Sequence, residues 1–247
     1  MLLSRKRIEA EYIVDIHSHI LPGIDDGSKN MSETLKMLEI AKTEGITHII
    51  ATPHYKSRHD NANPNMVNKI LNEVQQAAYN SGIDIKLYQG NEIMYHDSMC
   101  EELDSGYISC MCSTDYVLVE FYPTDSYQYI RNSLDEIISE GYQPILAHIE
   151  RYECILETVS RAVELRRMGI EIQANASSIV GKSGKKVKKL IHTLLGEQVI
   201  DYIATDSHRC EGERMPSIKE SVKQLYKRYD YRYVNKILYG NAMNRLL

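Results

Sequence analysis

Residues 12–27 read Tyr12-Ile13-Val14-Asp15-Ile16-His17-Ser18-His19-Ile20-Leu21-Pro22-Gly23-Ile24-Asp25-Asp26-Gly27. The run Tyr12–Ile16, rich in β-branched residues, has the character of a buried strand, and it ends on two histidines one residue apart. Side chains alternate along a strand with a period of two, so His17 and His19 point the same way, as chelating imidazoles must. Turn chemistry follows at Pro22-Gly23 and again at Asp26-Gly27, which can carry Asp26 back to the same end. Taken alone, an Asp-Asp-Gly turn is ordinary surface loop.

The strand pattern recurs outward from this stretch. Short apolar runs stand at Thr47–Ala51, Asp84–Tyr88, Tyr116–Glu120, Pro144–Ala147, Glu171–Ala174 and Asp201–Ala204. Between them the spacing predicts helices: one capped by Ser32 and stopped by Gly45, one begun by Asn63-Pro64, and others over 126–140, 156–168, 185–195, 217–229 and 231–238. Strands alternating with helices give an α/β protein with a parallel sheet or barrel. A chain of 247 residues fits a single barrel domain spanning 1–247.

Barrel enzymes build their sites at the carboxyl ends of the strands. Six of the seven predicted strands place a histidine or acid there: His17 and His19, His54, Glu92, Glu120, His148, and Asp206 with His208. Asp206 and His208 repeat the one-residue spacing with a hard and a borderline donor, a mixture suited to Mn, Fe or Zn. Each residue alone has a blander reading, such as a hydrogen-bonded loop histidine or a strand-ending carboxylate. Together they are costly to bury unless a cation compensates them, and the set points to a metal site.

Composition narrows the field. Hydrophobic residues make up 43% and charged residues 26% of the chain, and the net charge is -5. That balance disfavours a nucleic-acid partner. No run approaches a membrane span, and the opening residues lack the apolar stretch of a secretion signal, so a cytoplasmic protein with no membrane insertion is expected. The five cysteines show no paired spacing for a disulfide framework or zinc ribbon. None is followed after five residues by an arginine, as a thiol-based tyrosine phosphatase requires. The basic stretch 182–189 interleaves Val187 at helical spacing and reads as a solvated helix face.

The segments Asp15-Ile-His-Ser-His-Ile-Leu-Pro-Gly-Ile-Asp-Asp-Gly27, Ala51-Thr-Pro-His54, Gly90-Asn-Glu92, Leu118-Val-Glu-Phe121, Ala147-His-Ile-Glu-Arg-Tyr152 and Thr205-Asp-Ser-His208, in that order, resemble the polymerase-and-histidinol-phosphatase (PHP) superfamily. Within it they resemble the bacterial manganese-dependent protein-tyrosine phosphatases of capsule and exopolysaccharide synthesis. The Asp-Asp-Gly and His-Ile-Glu-Arg pieces favour that branch over the histidinol phosphate branch.

The resemblance implies a PHP-type distorted (β/α)7 barrel holding three metal ions, Mn²⁺ first, with Fe or Zn as alternatives. It assigns His17, His19, Glu92 and Asp206 to the first ion. Glu92 would bridge to a second, held also by Glu120 and His148, and Asp26, His54 and His208 would hold the third. Arg151 and Arg214 would bind substrate phosphate, with Arg151, Asp206 and His208 serving catalysis. The implied partner is a phosphotyrosine protein, a bacterial tyrosine kinase with a C-terminal tyrosine tail. Two other readings stay open: a small-molecule phosphomonoesterase such as a histidinol phosphatase, and a catalytically silent, metal-stabilised binding module. The loop Tyr55–Asn63 has no counterpart that transfers.

Overall fold

A computed structural model describes residues 12–56 and 63–247. The opening residues read for a secretion signal, and most of the loop 55–63, lie outside the described residues.

The strands are β1 (Val14–Ser18), β2 (His48–Ala51), β3 (His54–Tyr55), β4 (Lys86–Gln89), β5 (Glu92–Met94), β6 (Tyr116–Glu120), β7 (Gln143–Leu146), β8 (Glu171–Asn175) and β9 (Tyr202–Ala204). All pair in parallel, in the orders β1-β2-β4 and β3-β5-β6-β7-β8-β9. Two of the expected strands, Thr47–Ala51 and Asp84–Tyr88, continue beyond a break into a second segment. Thr52-Pro53 separates β2 from β3 because proline supplies no ladder N–H, and Gly90-Asn91 separates β4 from β5. Backbone bonds from Gly90 N to Ala51 O (2.9 Å) and from Glu92 N to Pro53 O (3.2 Å) carry the pairing across both breaks. The nine segments therefore form seven staves among the described residues.

The curled sheet meets itself beyond β9. Asp206 N donates to His17 O at 2.9 Å, His19 N donates to Ser207 O at 2.8 Å, and Ser18 and Ser207 form an isolated parallel bridge. Asp15 reinforces this seam by accepting from the Thr205 amide (2.9 Å) and hydroxyl (2.5 Å). The result is a distorted (β/α)7 barrel, as the strand pattern and the resemblance implied.

An inner apolar cluster gathers Val14, Ile16, Ile50, Leu118, Ile145, Tyr202 and Ala204 from five staves, with Ala242 and Leu246 from the chain's last helical turns. A second, larger cluster joins the outer strand faces to the surrounding helices. Strict alternation would turn His17 away from the side taken by Val14 and Ile16. The register of β1 against β2 shifts between Asp15 and Ser18, and such a bulge re-aims the side chains that follow it.

Several helix expectations need correction. Asn30, not Ser32, caps the helix Met31–Glu44: its side chain accepts from Glu33 N, while Ser32 lies inside the first turn. Gly45 does end this helix, at a φ of 91° that favours glycine. Asn63 and Pro64 open Pro64–Asn80 as expected. The stretch 156–168 is two helices, Glu153–Glu157 and Ser160–Arg167, parted at Thr158. After Tyr231–Asn235 the chain widens into a π turn, Lys236–Gly240. Among the described residues, no helix is long and apolar enough to cross a membrane.

Candidate metal centre

At the carboxyl end of β1, the Nε2 atoms of His17 and His19 lie 3.2 Å apart. Each stands 3.1 Å from Glu92 Oε2 and 3.6 Å from Asp206 Oδ1. These four side chains are buried. His148 Nε2 lies 2.8 Å from Glu92 Oε1 and 3.5 Å from Glu120 Oε2. His54 Nε2 and His208 Nε2 approach Asp26 Oδ1 at 3.4 and 3.3 Å. All nine residues read from the sequence thus lie close together at the carboxyl ends of the strands.

The groups overlap more than a three-way partition suggests. His54 Nδ1 faces Glu92 (3.0 Å) and Glu120 (3.2 Å), so this ring spans two groups. The ligand atoms close enough to share one ion fall into His17, His19 and Glu92; His54, Glu92 and Glu120; and His19, Asp26, His54 and His208.

Glu92 Oε2 and His54 Nδ1 are buried and make no hydrogen bond of acceptable geometry, although each has polar atoms at close range. Ligand atoms that crowd a common point without donating to one another are what a cation site requires, so the residues fit divalent metal. The electrostatics agree. Burial opposes charge on His19, but the Asp25 hydrogen bond and Glu92 outweigh it and lift its pKa to about 9. At His148 burial is outweighed by Glu120 and Glu92, again to about 9. At His54 the same two carboxylates overcome burial and bring it to about 11. Burial also opposes ionisation of Glu92, yet the charge of His17 and the bond from His148 drive it well below the carboxylate range. The ionised carboxylates therefore keep the imidazoles of His19, His54 and His148 protonated, with positive charge where cations would sit.

Two site residues carry backbone strain. His148 has a φ of 29° and Asp206 a φ of 52°, a region non-glycine residues seldom occupy, and such outliers concentrate at functional sites. Gly27 is forced by close approach: a Cβ there would fall 2.1 Å from His19 O. This tight fold brings the 25–27 turn over the histidines.

Arg151 bonds Asp206 Oδ2 through Nη2. Arg214 contacts His208 Nε2 and reaches Asp26 (3.5 Å) and Asp206 (3.7 Å). Both arginines line a cleft of about 500 Å³ that opens beside Asp206. Its lining also includes Ser177, Ser178, Lys182 and Ser183, so the start of the basic stretch, exposed as read, borders this cleft.

Sequence reasoning missed the residues that orient the ligands. Asp25 Oδ2 sits 2.7 Å from His19 Nδ1 and accepts from His54 N at 3.0 Å. The stave without a ligand, β8, contributes Gln173, whose Oε1 accepts from His148 N (2.6 Å) and faces His17 Nδ1 (3.4 Å). Asn175 Nδ2 donates to Asp206 Oδ2 at 3.0 Å. Gln173 and Asn175 share the two-residue spacing of the histidines, which was the available signal.

Residues 13–247 match the family model described as capsular polysaccharide synthesis, CpsB/CapC. CapC of Staphylococcus aureus is 34% identical over 197 residues, covering 79% of this chain and 77% of that protein. Tyrosine-protein phosphatase CpsB of Streptococcus agalactiae is 28% identical over 239 residues, 95% of this chain and 98% of the relative. A solved structure from work on YwqE of Bacillus subtilis and CpsB of Streptococcus pneumoniae, described as metal-dependent tyrosine phosphatases, matches with a TM-score of 0.87 and 27% identity. It covers 95% of this chain and 94% of that one. The fold, the residue cluster and the match across nearly its whole length agree: this chain belongs to the CpsB/CapC family of capsular polysaccharide synthesis.

Proposed function

We propose that the chain, as one domain over 1–247, is a cytoplasmic manganese-dependent protein-tyrosine phosphatase acting in capsule or exopolysaccharide synthesis. Its substrate in this reading is the phosphorylated C-terminal tail of a bacterial tyrosine kinase. The observation that carries the proposal is the convergence of His17, His19 and Glu92, with Asp206 Oδ1 3.6 Å from both imidazoles, beside a cleft lined by two arginines. The family relatives named as tyrosine phosphatases supply the substrate class.

His17, His19, Glu92 and Asp206 would hold one ion; Glu92, Glu120 and His148 a second; and Asp26, His54 and His208 a third. Bound there, divalent cations lower the pKa of a coordinated water toward about 7 and offset phosphate charge. The chain's own residues do the rest. Arg151 exchanges its contact with Asp206 for phosphate oxygens, a planar fork clamping two at once, and Arg214 closes on them from the His208 side. Charge on the transferred phosphoryl group is where stabilisation counts most. Asp206, held ionised mainly by His17 and Arg151 against its burial, and His208 keep the metal-facing wall in place. A tyrosine phenolate leaves readily enough that proton donation to it is a small demand.

The test compares metal-loaded protein on a phosphotyrosine peptide and on histidinol phosphate. The proposal expects preference for the peptide. The reverse preference reassigns the enzyme to small phosphomonoesters, and turnover of neither supports the silent binding module.

A further inference from the structure

Beyond the phosphate-facing arginines, the cleft beside Asp206 runs past Asn175 and Ser177 to Lys182. Its volume, about 500 Å³, lies in the range that encloses a whole ligand rather than a phosphate group alone. The charges along it are not equally free. Asp206 is engaged by Arg151 and Asn175. Glu150, 3% exposed, accepts through Oε1 from Asn175 N (2.9 Å) and Ser178 Oγ (2.7 Å).

Glu213, beside Arg214 in the turn Gly212–Arg214, and Lys182 make no ion pair among the described residues, and Lys182 is the ammonium on this lining. Its backbone is nevertheless firmly placed. Lys182 N donates to Ser177 O at 3.1 Å, Gly181 N to Ser178 O at 3.2 Å, and Gly184 N to Gly181 O at 3.1 Å. Ser178 Oγ ties the loop to Glu150 and lies 3.1 Å from Ser183 Oγ. Gly181 and Gly184 adopt φ values of 93° and 96° that admit this tight path. The neighbouring Lys188 is committed elsewhere, donating to Val180 O at 3.2 Å.

We infer that Lys182 is a specificity-determining residue: it receives the carboxylate of an acidic residue flanking the phosphotyrosine in the substrate peptide. The inference rests on the proposed phosphatase reading and adds the sequence context that the cleft selects. A fixed loop that presents one uncompensated ammonium next to a phosphate-binding pair favours a second negative charge on the same ligand. A solvated ion pair of this kind amounts to a roughly twofold to fivefold preference.

The experiment measures kcat/KM of the manganese-loaded full chain on three phosphotyrosine peptides, identical except for Glu, Ala or Lys on either side of the phosphotyrosine. The wild type is expected to favour the Glu peptide over the Ala peptide by that factor. Lys182→Gln should bring the ratio to one, and Lys182→Glu should turn the preference toward the Lys peptide. Because the readout is a ratio within each variant, a general loss of activity cancels. Ratios that stay the same in both variants, or a wild type indifferent to the flank, overturn the inference while leaving the phosphatase intact. A wild type that hydrolyses none of the three overturns the proposed function and the inference with it.

Discussion

His19 Nδ1 lies 2.7 Å from the Asp25 carboxylate, and this contact turns the opposite ring nitrogen, Nε2, toward Glu92 at 3.1 Å. A carboxylate behind a ligating histidine fixes its tautomer and raises its basicity. Asp25→Ala is therefore expected to weaken metal binding by about 10- to 100-fold. Metal titration of the stripped protein checks this, with circular dichroism confirming that the fold persists. Unchanged affinity would show that Asp25 only shapes the turn.

His17→Ala and Arg151→Ala should fail differently. The first removes a buried ring that faces both Glu92 and Asp206, so bound metal and activity fall together. The second leaves the ligand cluster in place, so metal content holds while kcat/KM drops by roughly 10²-fold or more. Elemental analysis beside kinetics separates the two. Full activity of the His17 variant at matched metal content would remove the cluster from catalysis.

Metal loading should release protons. His19 and His148, each with a pKa raised to about 9, are protonated in the metal-free protein at pH 7 and must lose those protons to ligate. Affinity should thus rise between pH 7 and 9. The sign for the metal-free fold is the opposite: the raised imidazole values contribute stability that is complete below about 6.5 and fades as pH climbs through about 9. Calorimetry of Mn²⁺ binding in two buffers of different ionisation enthalpy reports the released protons. Identical heats in both would contradict this account.

The thiols should be dispensable. Burial pushes Cys100 and Cys110 up to about 11 and Cys112 up to about 12, which suppresses the reactive thiolate. None of the five cysteines is among the ligand groups or lines the phosphate cleft. Iodoacetamide treatment is expected to spare phosphatase activity that a chelator abolishes. Loss of activity on alkylation, with the fold retained, would overturn this.

The staves and the ligand types were legible because each rests on a local signal. A β-branched run marks a strand, and an imidazole or carboxylate just past it marks the rim. What stayed hidden depends on long-range partners or irregular backbone. The bulge between Asp15 and Ser18 has no composition of its own, and the breaks at Thr52-Pro53 and Gly90-Asn91 appear only when neighbouring staves are paired. Asp26 drew attention through its turn, whereas Asp25 holds His19 because Gly27 lets the loop fold back against it. Lys182 resembled the rest of a basic helix, yet it precedes the helix Lys185–Gly196 and lines the cleft. Asn30 outranked Ser32 as a cap because its backbone is extended and its side-chain Oδ1 accepts from Glu33 N.

The most direct measurement is hydrolysis of a phosphotyrosine peptide by chelator-stripped protein before and after Mn²⁺ is restored, with the same peptide carrying phosphoserine as control. Activity that is absent without metal, returns with Mn²⁺ and favours phosphotyrosine is the predicted result. Inactivity despite verified metal reloading, or equal turnover of both peptides, would contradict it.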